Sequence, residues 1–241
     1  VINDIEAADP EFLFITPSHQ FPTGNIMPIS RRIELLNWAA TGKNRYIIED
    51  DYDSEFKYGT DNIPSLQSLD RTQRVIYFGA FSKTLLPSFR ISYMVLPPDL
   101  LELYQHNYSD RIQGCSSLQL YTLHYFIESG DYAKHIKRMN QHYNKKRKQL
   151  VNELHLRFQH KVRIQDVPAG LHFLAEFDTD KSYNAIRTKA IEEKLEIYTL
   201  EHFLLKKDDR HPEYNQIVMG FANIQEDDIS EAVDRLYRGV C

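Results

Sequence analysis

The chain reads as an α/β protein, a mostly parallel sheet with covering helices followed by a smaller α+β layer. Three observations predict this. The first half holds four short, near-continuous apolar runs, at residues 12–16, 45–49, 74–79 and 91–96, separated by a helical period and by loops. Such runs belong to strands buried on both faces, as in parallel sheets whose crossovers are helices. After Leu156 the pattern changes to shorter strand-like runs alternating with amphipathic helices. Finally, 241 residues with 42% hydrophobic content suffice for one large domain or two smaller ones.

"INDIEAADPE" reads as the approach to an interior strand, "FLFIT" (12–16). "SHQFPTGNIMP" then turns. Residues 29–40 set Ile33, Leu36 and Ala40 at helical spacing, with Gly42 as the stop. "RYIIE" (45–49), "RVIYFG" (74–79) and "ISYMVL" (91–96) complete the first set of strands. The middle is helical. Leu118, Tyr121, Thr122, Tyr125 and Phe126 share one face, and Tyr132, Ile136, Met139, Tyr143, Leu150 and Leu154 continue the period through "KRMNQHYNKKRKQL". The basic face of that long helix reads as solvated rather than as a nucleic-acid surface. "KVRIQ", "LHFLAEF", "LEIYTL" and "QIVMGFA" read as strands, with helices "SYNAIRTKAIEEKL" and "DDISEAVDRLYRG" on one side of them. The predicted division is a large domain over 1–130, a connecting helix over 131–158 and a small domain over 159–241.

Composition narrows the function classes. Twenty-nine basic residues against 34 acidic ones, a net charge of −5, argue against a free-standing nucleic-acid binder. Cys115 and Cys241 lie far apart and suggest reduced thiols in a cytoplasmic protein. No apolar stretch approaches the ~18 residues of a membrane span. With no initiator Met, the chain reads as cut from a longer one.

Three stretches carry chemistry. "IIEDDYDSEFKY" (47–58) crowds Glu49, Asp50, Asp51 and Asp53 at a strand end. Hard cations take clustered carboxylates, but the spacing is not that of a calcium loop. An acidic strand-end loop is the plain alternative. "FGAFSKTLLPSFR" (78–90) puts Lys83 and Arg90 between two strands, and "TPSHQFPTG" (16–24) follows another. Ligands of open α/β sheets bind outside the carboxyl ends of the strands. An acid, an amine, an arginine and a Pro-Gly loop converging there are the parts that pyridoxal phosphate requires. Taken singly, each reads as a surface or core-edge polar residue.

In this order, "TPSHQFPTG", "EDDYDSEF" and "FGAFSKTLLPSFR" resemble the fold-type I aminotransferase module of MocR-type bacterial regulators. Those proteins join a GntR-type winged helix-turn-helix to a pyridoxal-phosphate-binding domain. The likeness runs on through "LHFLAEFDTD" and "GFANIQEDDI". It implies a Schiff base at Lys83, Asp50 on the pyridine nitrogen and Tyr52 on the phenolic oxygen of pyridoxal 5'-phosphate. It implies Arg90 and Ser82 on the phosphate, with His19 and Gln20 near the ring. Departures from ordinary aminotransferases are Phe21 in place of the loop Asn, Ala80 in place of a hydroxyl, and Val218 in place of a carboxylate-binding Arg. His202 stands where the γ-aminobutyrate-responsive regulator uses an arginine, which makes it the candidate substrate-side residue.

The resemblance therefore implies a cytoplasmic sensor module, homodimeric, answering to an amino compound or to pyridoxal phosphate itself. DNA would be met only through a winged helix outside this chain. The alternatives are an aminotransferase acting on an amino acid and a 2-oxo acid, with weak or absent turnover expected, and a cofactor-free interaction fragment. It also implies that the family's module begins upstream of this chain. The chain alone should then bind pyridoxal phosphate weakly or not at all, and a partner chain should cover an open sheet edge.

Overall fold

The computed structural model describes residues 2–59, 64–112, 114–165, 168–204 and 214–241. Strands β1 (Phe12–Ile15), β2 (Tyr46–Asp51), β3 (Val75–Ala80) and β4 (Ser92–Val95) form one sheet in the order β1-β2-β3-β4. The first three run parallel and β4 returns antiparallel to β3. Residues cluster into two compact units. One comprises Val1–Gln20, Asn25–Glu55 and Thr60–Ile136; the other comprises Phe21–Gly24, Phe56–Gly59 and Lys137–Cys241.

The core of the first unit joins Leu35, Leu36, Trp38 and Ala39 of helix α2 (Ile29–Thr41) to Ile47, Leu66 and Val75. The helix is where expected, but of the three residues at helical spacing only Leu36 turns inward. Ile33 is 43% exposed and Ala40 faces out, while the buried stripe runs Arg32, Leu35, Leu36, Ala39. The spacing is the ordinary helical i, i+3, i+4, i+7. A buried arginine starts it, so a reading based on apolar residues chose the wrong phase. Gly42 ends the helix in an extended conformation rather than a left-handed one.

The strands reading as buried on both faces divide into two kinds. Ile47, Val75 and Ile76 in the central strands are buried, whereas β1 alternates, with Phe12 and Phe14 exposed, and all four residues of β4 are exposed. β1 and β4 are the sheet edges, each paired on one side only among the described residues. An apolar run reports strand preference; it does not report which neighbour covers the strand.

Helix α1 (Ile2–Ala8) forms the approach to β1, and α3 (Leu66–Leu69) and α4 (Pro98–Tyr108) add two helices the pattern did not show. In α5 (Ser117–Glu128), Leu118, Tyr121 and Tyr125 of the shared face are exposed, and Leu123 is the buried residue.

Helix α6 (Asp131–Phe158) runs through both units. The second unit's sheet is antiparallel throughout, ordered β5-β6-β8-β7 with β5 Val162–Ile164, β6 His172–Phe177, β7 Tyr198–Thr199 and β8 Asn215–Gly220. Leu150, Leu154 and Phe158 of α6 meet Phe173, Phe177 and Ile217 in its core. Helix α7 (Tyr183–Glu192) adds Ile186, and α8 (Ile229–Val240) adds Val233 and Leu236. The basic stretch of α6 is not wholly solvated. Lys146 and Arg147 are buried; Lys146 Nζ donates to the Ala222 carbonyl at 3.0 Å, and the Arg147 guanidinium lies 5.6 Å over the Tyr58 ring. Long basic side chains carry enough apolar stem to be buried when the head group finds a partner. No described helix is long and apolar enough to cross a membrane.

Candidate functional site

The parallel register places the carboxyl ends of β1, β2 and β3 side by side, with Ile15 opposite Glu49 and Asp50 opposite Phe78. The loop 16–20, the acidic stretch and the Lys83 turn all leave from that edge. The four acids that read as a cluster have four different surroundings. Glu49, fully buried, accepts the amides of Leu66 and Gln67, both at 2.9 Å, and lies 3.8 Å from Arg32. Burial still pushes its carboxyl above the usual range, against the pull of those two amides. Asp51 accepts the Tyr77 hydroxyl at 2.6 Å, and Asp53 meets His19 Nδ1 at 2.9 Å. Asp50 has no hydrogen-bond donor on its carboxylate among the described residues. Burial first, then the charges of Asp51 and Asp53, hold its carboxyl above the usual range.

Beyond β3 the chain turns through Ser82, Lys83 and a short 3₁₀ turn, Pro87–Phe89, to Arg90. Lys83 and Arg90 are exposed and Ser82 is half-buried. None of the three side chains has a hydrogen bond or ion pair among the described residues. Arg90 sits in the left-handed region at φ 48°, where a side chain costs on the order of 1 kcal/mol. At Gly79, opposite Tyr93 in the ladder, a Cβ would come within 2.3 Å of the Tyr93 ring. The missing side chain lets that ring lie across the strand.

The loop after β1 is fixed from below. Arg32 donates to the carbonyls of Pro17 (2.8 Å), Met27 (3.1 Å) and Pro64 (3.0 Å), so one guanidinium holds both ends of the segment that carries His19 and Gln20. Met27 N–H closes the same loop onto the Pro17 carbonyl at 2.9 Å. His19 is buried against Asp53, and its own carbonyl accepts the Tyr52 hydroxyl at 2.8 Å. Burial and the charges of Asp53, Asp50 and Asp51 raise the Tyr52 phenol well above its ordinary range, so it stays a donor. Gln20 is exposed, its backbone N–H bonded to the Asn25 carbonyl.

The structure thus sets Asp50, Tyr52, Ser82, Lys83, Arg90, His19 and Gln20 along the carboxyl-end edge of the first sheet, at or just beyond the ends of β1, β2 and β3. His202 lies in the second unit, on the 3₁₀ turn Leu200–Phe203, with its ring against Tyr198 and Phe203. It shares a pocket of about 220 Å³ with Arg187, Glu196 and Tyr198.

Comparison with known proteins gives this arrangement its context. The aminotransferase class I and II profile matches residues 1–236. The chain belongs to that family. It is 40% identical over 98% of its length to the HTH-type transcriptional regulator YdeL of Bacillus subtilis, and covers 50% of that protein. It is 35% identical, over 73% of its length and 36% of the relative, to the probable rhizopine catabolism regulatory protein MocR of Rhizobium meliloti. Among solved structures, the α-aminoadipate aminotransferase LysN of Thermus thermophilus, complexed with N-(5'-phosphopyridoxyl)-L-leucine, superposes with a TM-score of 0.83 at 26% identity. That superposition covers 99% of this chain and 62% of LysN. The fold is the fold-type I aminotransferase fold, and the kinship with MocR-type regulators stands. The chain spans about half the length of the curated relatives it matches first.

Within this aminotransferase-family chain, sequence reasoning missed three parts of the edge. Arg32 was invisible because charged residues on amphipathic helices are ordinarily outside; its spacing with Leu35, Leu36 and Ala39 was the available signal. Asp53 was visible only as one acid among four. The groups that hold the Lys83 turn, Thr84, Tyr132 and His135, are too far apart in sequence for any spacing to connect them.

Proposed function

We propose that this chain is the effector-binding part of a transcriptional regulator that uses pyridoxal 5'-phosphate. The observation that carries the reading is a set of complementary groups at the carboxyl-end edge of the first sheet that have no side-chain hydrogen-bond or ion-pair partner among the described residues: the amine of Lys83, the guanidinium of Arg90, the hydroxyl of Ser82 and the half-buried carboxyl of Asp50. Each suits a different part of the cofactor. A planar guanidinium with a neighbouring hydroxyl matches a phosphate, and the strained backbone at Arg90 is tolerable where a ligand repays it. Asp50, held protonated longer than usual by burial and two like charges, gains most from a cationic partner such as a protonated ring nitrogen.

When bound, pyridoxal phosphate supplies a carbonyl that condenses with amines and a ring that withdraws electrons. The chain's own residues do the rest. Lys83 offers the amine that holds the cofactor, and Tyr52 stays protonated, its hydroxyl donating to the His19 carbonyl and so bracing the loop that carries His19 and Gln20. Arg32, by tying both ends of the 17–27 loop, keeps His19 and Gln20 in place.

A regulator is favoured over an enzyme by the relatives' names, with HTH-type regulators at 40% and 38% identity against a 2-aminoadipate transaminase at 26%. Phe21 supports the same choice. Its ring packs edge-on against Phe203 and His172 at 4.9 and 5.5 Å, an apolar role where ordinary aminotransferases place a polar loop residue. The effector is an amino compound or the cofactor itself, with His202 the candidate residue on its side. The working protein is a cytoplasmic homodimer whose DNA contacts come from a winged helix-turn-helix domain, and its large domain, connecting helix and small domain take residues 1–130, 131–158 and 159–241 of this chain.

Adding pyridoxal phosphate to the intact protein should produce a new near-visible absorption band that Lys83→Ala abolishes. A band of equal strength in Lys83→Ala would overturn the reading. Amino-group transfer to a 2-oxo acid should fall well below the ~10 per second typical of enzymes; reaching that rate would favour the aminotransferase.

A further inference from the structure

We propose that Tyr132 and His135, in the first turns of α6, are positioning residues for Lys83. The inference rests on the reading of Lys83 as the cofactor-holding amine, and it comes from what brackets that amine. Thr84, the next residue, is 2% exposed although Lys83 itself is exposed. His135 Nε2 lies 2.8 Å from the Thr84 carbonyl. A carbonyl only accepts, so Nε2 carries the hydrogen in that contact. The Tyr132 hydroxyl reaches Thr84 Oγ1 at 3.3 Å and Glu55 Oε1 at 3.4 Å. The turn is also closed on itself, by Leu85 N–H to the Phe81 carbonyl at 2.8 Å and Phe81 N–H to the Ile91 carbonyl at 3.0 Å.

On the other side of Lys83, the Phe81 ring packs edge-on against Tyr132 at 5.8 Å. Phe126 of α5 lies 6.1 Å from both Tyr132 and His135 and backs the two rings. Lys83 therefore stands between two residues held by the same helical turn, while its own side chain is held by nothing described. Burial is the main reason the Tyr132 phenol is pushed up to about 12, which leaves it a neutral donor through the physiological range. The arrangement fixes the backbone under Lys83 and leaves the amine mobile, as a residue that must exchange partners requires. A displacement of Lys83 that shifts Thr84 pulls on the start of α6.

The test uses the full-length protein with two readouts. One is amide hydrogen exchange across residues 81–86 and 131–136 without cofactor. The other is the rate at which pyridoxal phosphate and borohydride label Lys83. His135→Phe keeps a ring against Phe126 and removes the donor, whereas His135→Gln keeps an N–H at the end of the side chain. Loss of the Thr84 bond should raise exchange at residues 81–86 about tenfold, the equivalent of one hydrogen bond. Labelling at Lys83 should slow several-fold, with both effects reversed in His135→Gln.

Tyr132→Phe, which keeps the packing, should give a smaller change of the same kind and serves if His135→Phe fails to fold. Unchanged exchange and labelling in well-folded His135→Phe and Tyr132→Phe would overturn the proposal. So would losses that His135→Gln leaves unrestored. If wild-type Lys83 is not labelled at all, the cofactor reading has failed instead, and the exchange measurement alone judges the positioning.

Discussion

Arg32→Met removes the guanidinium and keeps most of the side chain's apolar volume. In the structure that head group satisfies three carbonyls and lies 3.8 Å from Glu49, with both ionic side chains fully buried. The Pro17 carbonyl keeps the Met27 amide as a partner, but the carbonyls of Met27 and Pro64 lose theirs. Each such loss costs about 1–3 kcal/mol, and breaking a buried ion pair from one side typically costs about 3–5 kcal/mol in all.

The deficit should depend on pH. Glu49 already has a raised carboxyl pKa in the folded protein, and losing the cation raises it further. A raised folded pKa leaves stability intact below the unfolded value near pH 4 and removes it as pH rises toward the folded one. The mutant should therefore fall short of wild type by less at pH 4 than at pH 8. Urea unfolding followed by circular dichroism, and by the fluorescence of Trp38 on the same helix, measures this. Arg32→Met/Glu49→Gln should recover part of the loss at pH 8. A deficit under about 1 kcal/mol, or one unchanged between the two pH values, would refute the claim that this pair holds the 17–27 loop.

Other outcomes follow from the site. Asp50→Asn should stabilise the cofactor-free protein at pH 8 but not at pH 4, because the ionised carboxyl is the disfavoured form in the fold. The same change should weaken pyridoxal phosphate binding by roughly ten- to a hundredfold, read by spectral titration. Arg90→Gly should keep stability within about 1 kcal/mol, since relief at φ 48° offsets the freer unfolded chain, while phosphate-dependent affinity falls. Comparing pyridoxal with pyridoxal phosphate isolates that term. Gly79→Ala should destabilise by about 1–3 kcal/mol in thermal unfolding, because the Tyr93 ring must leave the strand.

Much of the candidate site was legible as a grouping of residues because its chemistry is local. Asp50, Lys83 and Arg90 sit at strand ends, and strand ends announce themselves by an apolar run breaking into polar residues. The strand set and the change to an α+β layer were legible for the same reason, since period and composition are properties of short windows. Burial was not. Phe14 and Met94 are as apolar as Ile47, yet both are exposed because they lie on edge strands. The α2 phase was missed because Arg32 is buried by pairing with carbonyls and Glu49, and that energetics depends on residues up to 32 positions away. Lys146 and Arg147 were misjudged likewise, since only the fold brings Ala222 and Tyr58 to them. The resemblance puts Tyr52 on the cofactor's phenolic oxygen, and the His19 carbonyl that accepts its hydrogen bond is a backbone atom no motif displays.

Peptide mapping after borohydride reduction of the intact protein with pyridoxal phosphate tests the central claim most directly. The account predicts one label per chain, on Lys83, lost in Lys83→Ala and reduced in Asp50→Asn. Label confined to solvent-facing lysines such as Lys145, or spread evenly among them, would contradict it.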